Sequence, residues 1–384
     1  MKKFFNRSAL RSLCFSVVLS SLMLVVVSPL SCKLTDEGIE ISVTDTEAPE
    51  IEVFSVNSGT SLFIACSEKI VLDDIKVVQE DDSEALDEDS VFAVADVITY
   101  SESGTSAEIT LSQRTRVGET YVISGIVSDI SGNTLEFSRS FSGYNDNPVR
   151  MIFNEVRTKY DSTSGTVEFI EFYVLKGGNT YGLEMVSATN GDSKKYSFPS
   201  IEVATGEYIT VHGRTLETQA SGAIDELDDD LTLSTAKDSC DTARDLWKSG
   251  TDKIISNTDV LLLRDATTEE VKDALLLCES KNSDWTKTAL KEYAELAYSS
   301  GIWASGSSVS DAVVSDYATT QYRSISRQNT AALAAQYADA SLLPDCIATS
   351  AADWLLTEKI VVSKVTTSGA TPGYENSTNP YVPK

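Results

Sequence analysis

Histidine occurs once in these 384 residues, at His212. A lone imidazole leaves no histidine-rich ligand cluster, and no Gly-x-Ser-x-Gly elbow stands near it to suggest a serine nucleophile. His212 ends a β-type run, where such a residue more often packs than acts as a base. Gly177-Gly178 lacks the partner glycines and the following Lys-Ser of a phosphate cradle. Cysteine shows no Cys-x-x-Cys spacing, so no cofactor or metal site is indicated. Positive charge is also short, with 31 Lys and Arg against 58 Asp and Glu. Lys2, Lys3, Arg7 and Arg11 all precede Ser31 and no acid does, so the remainder carries a formal charge of −31. A polyanion of this size repels nucleic-acid backbones and anionic headgroups, and no nucleic-acid partner is expected. The apolar share of 41% suffices for a core, and the length suggests about two domains.

The first 32 residues have a different logic. A basic patch precedes an apolar run from Leu13 to Val27, then Ser28-Pro29-Leu30-Ser31-Cys32. The run is shorter than the ~20 residues of a spanning helix, and the order of charge, apolar run and small residue is that of a secretory signal over residues 1–31. Ser31-Cys32 resembles a bacterial lipobox, whose cysteine is acylated and becomes the first residue of the mature chain. Pro29 stands where that pattern has an aliphatic residue, so ordinary cleavage beside an incidental Cys32 is the alternative. Acylation implies a lipid bilayer as partner and a place in the cell envelope, on the outer-membrane, periplasmic or surface side. Several buried acyl chains at ~0.8 kcal/mol per CH₂ anchor a protein stably.

Residues 32–48 are polar and acidic and read as a flexible tether. Short β-type runs then follow at 51–54, 61–66, 75–78, 94–99, 107–111, 120–127 and 135–141, separated by Gly, Ser and Asp clusters. Seven such runs predict a β-sandwich over residues 49–142. Phe63-Ile64-Ala65-Cys66-Ser67-Glu68 and Val127-Ser128-Asp129-Ile130-Ser131-Gly132-Asn133 resemble phrases of bacterial Ig-like domains. Asp129 suits a turn because it can accept a local backbone hydrogen bond, and Gly132 and Asn133 tolerate positive φ. Cys66 reads as a small buried apolar residue.

Gly143 to Pro148 is a breaker-rich hinge. Beyond it, Ile152-Phe153-Asn154-Glu155-Val156, Glu168-Phe169-Ile170-Glu171-Phe172-Tyr173, Tyr196-Ser197-Phe198-Pro199, Gly206-Glu207-Tyr208 and Asp259 to Asp265 resemble the lamin tail domain, as do Tyr322 to Arg327, Ala352-Asp353-Trp354 and Thr371-Pro372-Gly373. The resemblance implies a second Ig-like sandwich over residues 150–376, with inserts at about 213–257 and 279–321. The fold class expected is therefore mainly β, two Ig-like sandwiches in tandem, the second carrying α-helical insertions. Trp285 to Tyr298 places Leu290, Tyr293, Ala294, Ala297 and Tyr298 at helical spacings, with Ser283-Asp284 as the cap and Gly301 as the stop. Asn329 to Leu342 is a second helix candidate. The strand-like Lys359 to Val365 is expected to pair with strands laid down before residue 265, closing the sandwich.

Few residues invite a chemical role. Asp81-Asp82, Asp87-Glu88-Asp89 and Asp225 to Asp230 could offer calcium ligands, yet none has an alternating Asp-x-Asp-x-Asp-Gly spacing, and solvated loops are the simpler reading. Glu155, Glu168 and Glu171 fall in strands, with nothing in the sequence pairing them as acid and base. Cys240, Cys278 and Cys346 lie in or beside the inserts and are candidates for one structural disulfide, partners undetermined. The function expected is a membrane-anchored, non-catalytic binding or structural module of the envelope, with a protein or glycan ligand. Because exported lamin tail domains often accompany nucleases and phosphatases, the alternative is a secreted hydrolase or its accessory subunit.

Overall fold

The computed structural model describes residues 30–35, 38–43, 45–80, 91–318, 320–363 and 365–382. The chain is mainly β and divides into two compact units, the first ending at Phe141 and the second running from Ser142, with residues 116–119 belonging to the second. Residues 1–29, which hold most of the expected secretory signal, and the acidic residues 81–90 lie outside the described residues.

The segment expected as a tether holds a hairpin, Leu30–Thr35 paired with Gly38–Val43. Its register sets Cys32 opposite Ile41 and Leu34 opposite Ile39. Those apolar residues alternate with polar ones along both strands, the period-two pattern that a composition reading passes over.

Seven strands build the rest of the first unit: β1 (Ile51–Ser58), β2 (Ser61–Cys66), β3 (Val71–Gln79), β4 (Val91–Tyr100), β5 (Ser106–Leu111), β6 (Thr120–Ser128) and β7 (Thr134–Ser142). Their order is β1-β2-β5-β4-β3-β6-β7. The ten-residue β4 serves two partners, its start pairing with β3 and its later part with β5, with an irregularity between Ala95 and Val97. A strand shared in this way folds one sheet over into two layers. Leu62, Ile64, Ile109, Val77, Tyr121 and Ile123 fill the space between them without solvent contact. Each such side chain stabilises by about 1.5–3 kcal/mol relative to exposure. Cys66 is buried among them, which pushes its thiol up. Asp129 accepts from the backbone N–H and Nδ2 of Asn133, and Gly132 has φ +90°, so the turn forms by the chemistry its residues suggest.

The second unit stacks two sheets. One contains β8 (Arg150–Arg157), β9 (Phe169–Lys176), β11 (Tyr208–His212), β12 (Arg244–Trp247), β15 (Ile325–Arg327) and β16 (Trp354–Leu356), in the order β12-β11-β9-β8-β15-β16; the other is built on β10 (Leu183–Ser187), β13 (Asp259–Asp265) and β14 (Val271–Cys278). Ile170, Phe172 and Val174 face the other sheet and join one core with Met185, Val260, Leu262, Leu275 and Trp303. Phe169, Glu171 and Tyr173 alternate with them and lie on the opposite face of β9.

Several expectations change here. The 213–257 insert is not helical: it supplies β12, which pairs in parallel with β11, and the apolar Leu246 and Trp247 at its end are buried. Helix α1 runs Thr288–Ser299, burying Leu290, Ala294 and Ala297, but its N-cap is Lys287 with no side-chain cap. Trp285 is held outside the helix by its Nε1 bond to the Ser307 carbonyl, and Asp284 serves only the Trp285 N–H. Helix α2 is confined to Thr330–Gln336, and Ala340–Leu342 forms a separate 3₁₀ turn with Asp339 as its cap. Among the described residues Ile360–Val362 pairs with Val365–Thr367 as a two-stranded hairpin, and Ile360, Val361 and Val365 stay exposed. The sheet is extended instead by β15 and β16, through Glu155↔Ser326 and Ile325↔Leu356. Strand propensity without a buried partner surface made only a surface hairpin.

Candidate functional site

The outer face of the larger sheet is polar yet buried. Strand β8 carries an irregularity between Phe153 and Glu155, so Asn154 is an extra residue and Glu155 comes to stand directly across from Glu171 on β9. Both glutamates are fully buried. Two carboxylates side by side in a low-dielectric layer cannot both ionise freely. Burial pushes Glu155 up to about 7, against the hydrogen bonds of Ser324 and Thr371 and the charge of Arg157. Glu171 rises well above the usual carboxylate range, first by burial and then by the charge of Glu155.

The chain's own donors occupy all four oxygens. Ser324 Oγ lies 2.5 Å from Glu155 Oε1, and the Thr371 N–H reaches Glu155 Oε2 at 2.8 Å. Asn154 Nδ2 donates to Glu171 Oε1 at 2.6 Å, while the Gly373 N–H reaches Oε2 at 2.5 Å and Thr210 Oγ1 lies 3.5 Å from it. Two of these donors belong to the C-terminal segment, which therefore straps across the carboxylate layer. Gly373 has φ +78°, and a Cβ there would sit 2.7 Å from Cys240 Sγ and 2.6 Å from Thr242 Oγ1, so only glycine fits this turn. The strap continues with Asn376, whose Nδ2 donates to Asn154 Oδ1 at 2.9 Å and the Arg327 carbonyl at 2.7 Å, and with Tyr381, whose ring lies under Arg323 at 3.8 Å.

Beside the strap opens a cleft of about 250 Å³. Tyr173 and Tyr208, register partners on β9 and β11, form its aromatic corner with ring centroids 5.1 Å apart at 71°. Gln328, Thr330, Glu375 and Thr378 supply polar walls. Arg327 closes the inner side as a fully buried cation bonded to Asp273 at 2.8 Å.

The residues singled out from sequence fall as follows. The side chain of Cys32 lies outside the described residues; its backbone is in the hairpin. Cys240, Cys278 and Cys346 stand as free thiols in this structure: Cys240 Sγ meets Thr242 Oγ1 at 3.0 Å, Cys278 is buried near Asn282, and Cys346 is exposed. His212 is fully buried, its Nε2 2.7 Å from Asp245 Oδ1 and its ring stacked on Trp247 at 3.8 Å. The Asp225 to Asp230 run organises the first insert: Asp225 accepts the Trp247 N–H, Glu226 those of Ser234 and Asp245, and the Asp228 carbonyl meets Arg244. Glu168 pairs with Arg214 at 2.6 Å. In the first unit Asp45, Glu68 and Asp129 bring carboxylates together, with both Asp129 oxygens already bonded to Asn133. The Glu155–Glu171 pairing was missed from sequence; the signal available was a glutamate at the middle of two adjacent apolar strands.

Residues 149–356, which contain both carboxylates and most of the cleft, match the family model described as the TP_1001 protein second domain. The chain belongs to this family. An uncharacterized protein of Treponema pallidum (strain Nichols) is 28% identical over 203 residues, and that match spans about half of each chain. Among solved structures, the N-terminal part of the bacterial S-layer protein SbsC aligns over 60% of this chain and 44% of its own at 14% identity and a TM-score of 0.23. A DUF4876 family protein from Bacteroides thetaiotaomicron aligns over 71% and 84% at 11% identity and a TM-score of 0.27. Scores this low say nothing of what the family domain does, and its chemistry is read from its own residues.

Proposed function

We propose that this chain is an exported protein held at a bacterial membrane by an acylated Cys32, and that its family domain is a non-catalytic binding or structural module of the cell envelope. The observation that carries the non-catalytic part is the occupancy of the buried pair. A general acid or base must come within hydrogen-bond reach of substrate, whereas all four oxygens of Glu155 and Glu171 are engaged by this chain and both residues lack solvent contact. Burial raises their proton affinity, and the strap's N–H donors work against that rise by bonding the carboxyl oxygens. The partly exposed cleft beside them has ring faces, amides and hydroxyls, which suit recognition of a ligand.

The envelope part is supported by the leader: four basic residues, an apolar run and Ser31-Cys32 in that order. Detergent phase partitioning of the protein expressed in its own host, with mass spectrometry of the mature N-terminus, tests it. A diacylglyceryl mass on Cys32 and recovery in the detergent phase are expected. Equal partitioning of Cys32→Ala, or an unmodified N-terminus, would remove the anchor.

A further inference from the structure

We propose that the corner formed by Tyr173, Tyr208 and Glu375 is a binding site for an alkylammonium group, the chemistry shared by a lysine side chain and a choline headgroup. This rests on the reading of the family domain as a binding module and names the kind of ligand it takes.

Three observations point the same way. The cross-strand pairing of Tyr173 with Tyr208 fixes two ring faces at 71°, giving a two-walled recess rather than a flat stack. Aromatic faces carry negative quadrupole charge and attract a cation held within about 6 Å. Second, the exposed charge at the recess is negative. Glu375 is exposed on the strap and lines the same cleft without an ion pair among the described residues, while the fully buried Arg327 is already committed to Asp273. Burial first, and then the charges of Glu171, Tyr173 and Glu375, push the Tyr208 phenol up to about 12, so the exposed carboxylate of Glu375 is felt at the ring that would face the ligand. Third, the space is small. A cleft of about 250 Å³ lies below the ~300 Å³ at which drug-sized pockets begin, and fits the end of a chain better than a whole sugar or nucleotide. An anion entering from the exposed side would meet Glu375 and two ring faces before Arg327, whose guanidinium is bonded to Asp273 on the inner side, and a neutral apolar group would leave Glu375 and Thr378 without gain.

The test uses the full mature chain and three small probes: choline, Nα-acetyl-lysine methylamide, and 3,3-dimethylbutan-1-ol, the uncharged isostere of choline. Saturation-transfer NMR followed by titration should show binding of at least one cation, with the alcohol weaker by about fivefold or more. Choline alone assigns a methylated ammonium, and the lysine amide alone a protein side chain. Tyr208→Phe should retain binding, Tyr208→Leu should abolish it, and Glu375→Gln should weaken it about threefold or more. The alcohol binding as tightly as choline, cation binding that survives Tyr208→Leu, or no transfer to any probe would overturn the site. The result at Cys32 is independent, so loss of the cation site leaves the envelope reading to its own experiment.

Discussion

Replacing Glu155 by Gln should flatten the pH dependence of the second domain. The folded carboxyl titrates at about 7, whereas an unfolded glutamate does so at about 4.3. Between those values the folded state holds a proton that the unfolded state has released, so the unfolding free energy falls as pH rises. The favourable condition is present in full below the unfolded value and is lost by the time pH passes the folded one. At ~1.4 kcal/mol per pKa unit, the loss between pH 4.5 and 7.5 is on the order of 3 kcal/mol. Glutamine keeps the shape, still accepts the Thr371 N–H, and can donate to Ser324 Oγ, which has Thr357 Oγ1 as a further partner at 3.0 Å. It also removes the charge facing Glu171, so that residue should titrate lower. All four tryptophans, Trp247, Trp285, Trp303 and Trp354, lie in the second unit, so their fluorescence reports this domain alone. Urea unfolding followed by that signal at several pH values from 5 to 8 should show the variant close to wild type at pH 5 and more stable by roughly 2–3 kcal/mol at pH 8. Parallel pH profiles for the two proteins would refute the argument, since the pair would then not be holding an extra proton.

Three further outcomes are expected. Arg327→Met should cost about 3–5 kcal/mol in the same assay by stranding Asp273, and adding Asp273→Leu should recover most of it. Truncation after Ser368 should lower the tryptophan unfolding midpoint markedly because it takes the Thr371 and Gly373 donors from the carboxylates, whereas truncation after Val382 should leave it unchanged. If residues 1–31 are removed and Cys32 is acylated, Ellman titration of the denatured, unreduced protein should find four thiols, from Cys66, Cys240, Cys278 and Cys346; two or fewer would show that a bridge forms.

Much of the framework could be read from the chain because its signals are local. The seven runs of the first unit are short, β-type in composition and bounded by Gly, Ser and Asp clusters, and each became a strand. Leu290, Ala294 and Ala297 announce a helix face by spacing alone. What escaped depends on register and on surfaces supplied from far away. The alignment of Glu155 with Glu171 exists only because Asn154 is one residue too many for the ladder. The strap is polar and irregular, and residues 371–376 gain their place from donors that meet carboxylates about 200 positions earlier in the chain. Ile360 to Val365 failed in the opposite sense, having strand composition without a buried edge to join.

The hairpin at the start changes how far an anchored sandwich could stray from its membrane. An extended chain from Cys32 to Asp45 would span roughly 45 Å at about 3.4 Å per residue. Because Cys32 lies opposite Ile41, the chain doubles back, and only the four steps from Ile41 to Asp45 separate that rung from the sandwich. Asp45 is itself tied to the Asn133 side chain at 3.2 Å. The leash is thereby shortened to roughly 20 Å, less than half of the extended reach. With Cys32 acylated, the first sandwich would ride against the bilayer surface rather than sweep a hemisphere above it. Its many carboxylates would then make the local lipid charge, more than linker length, the control on how it stands.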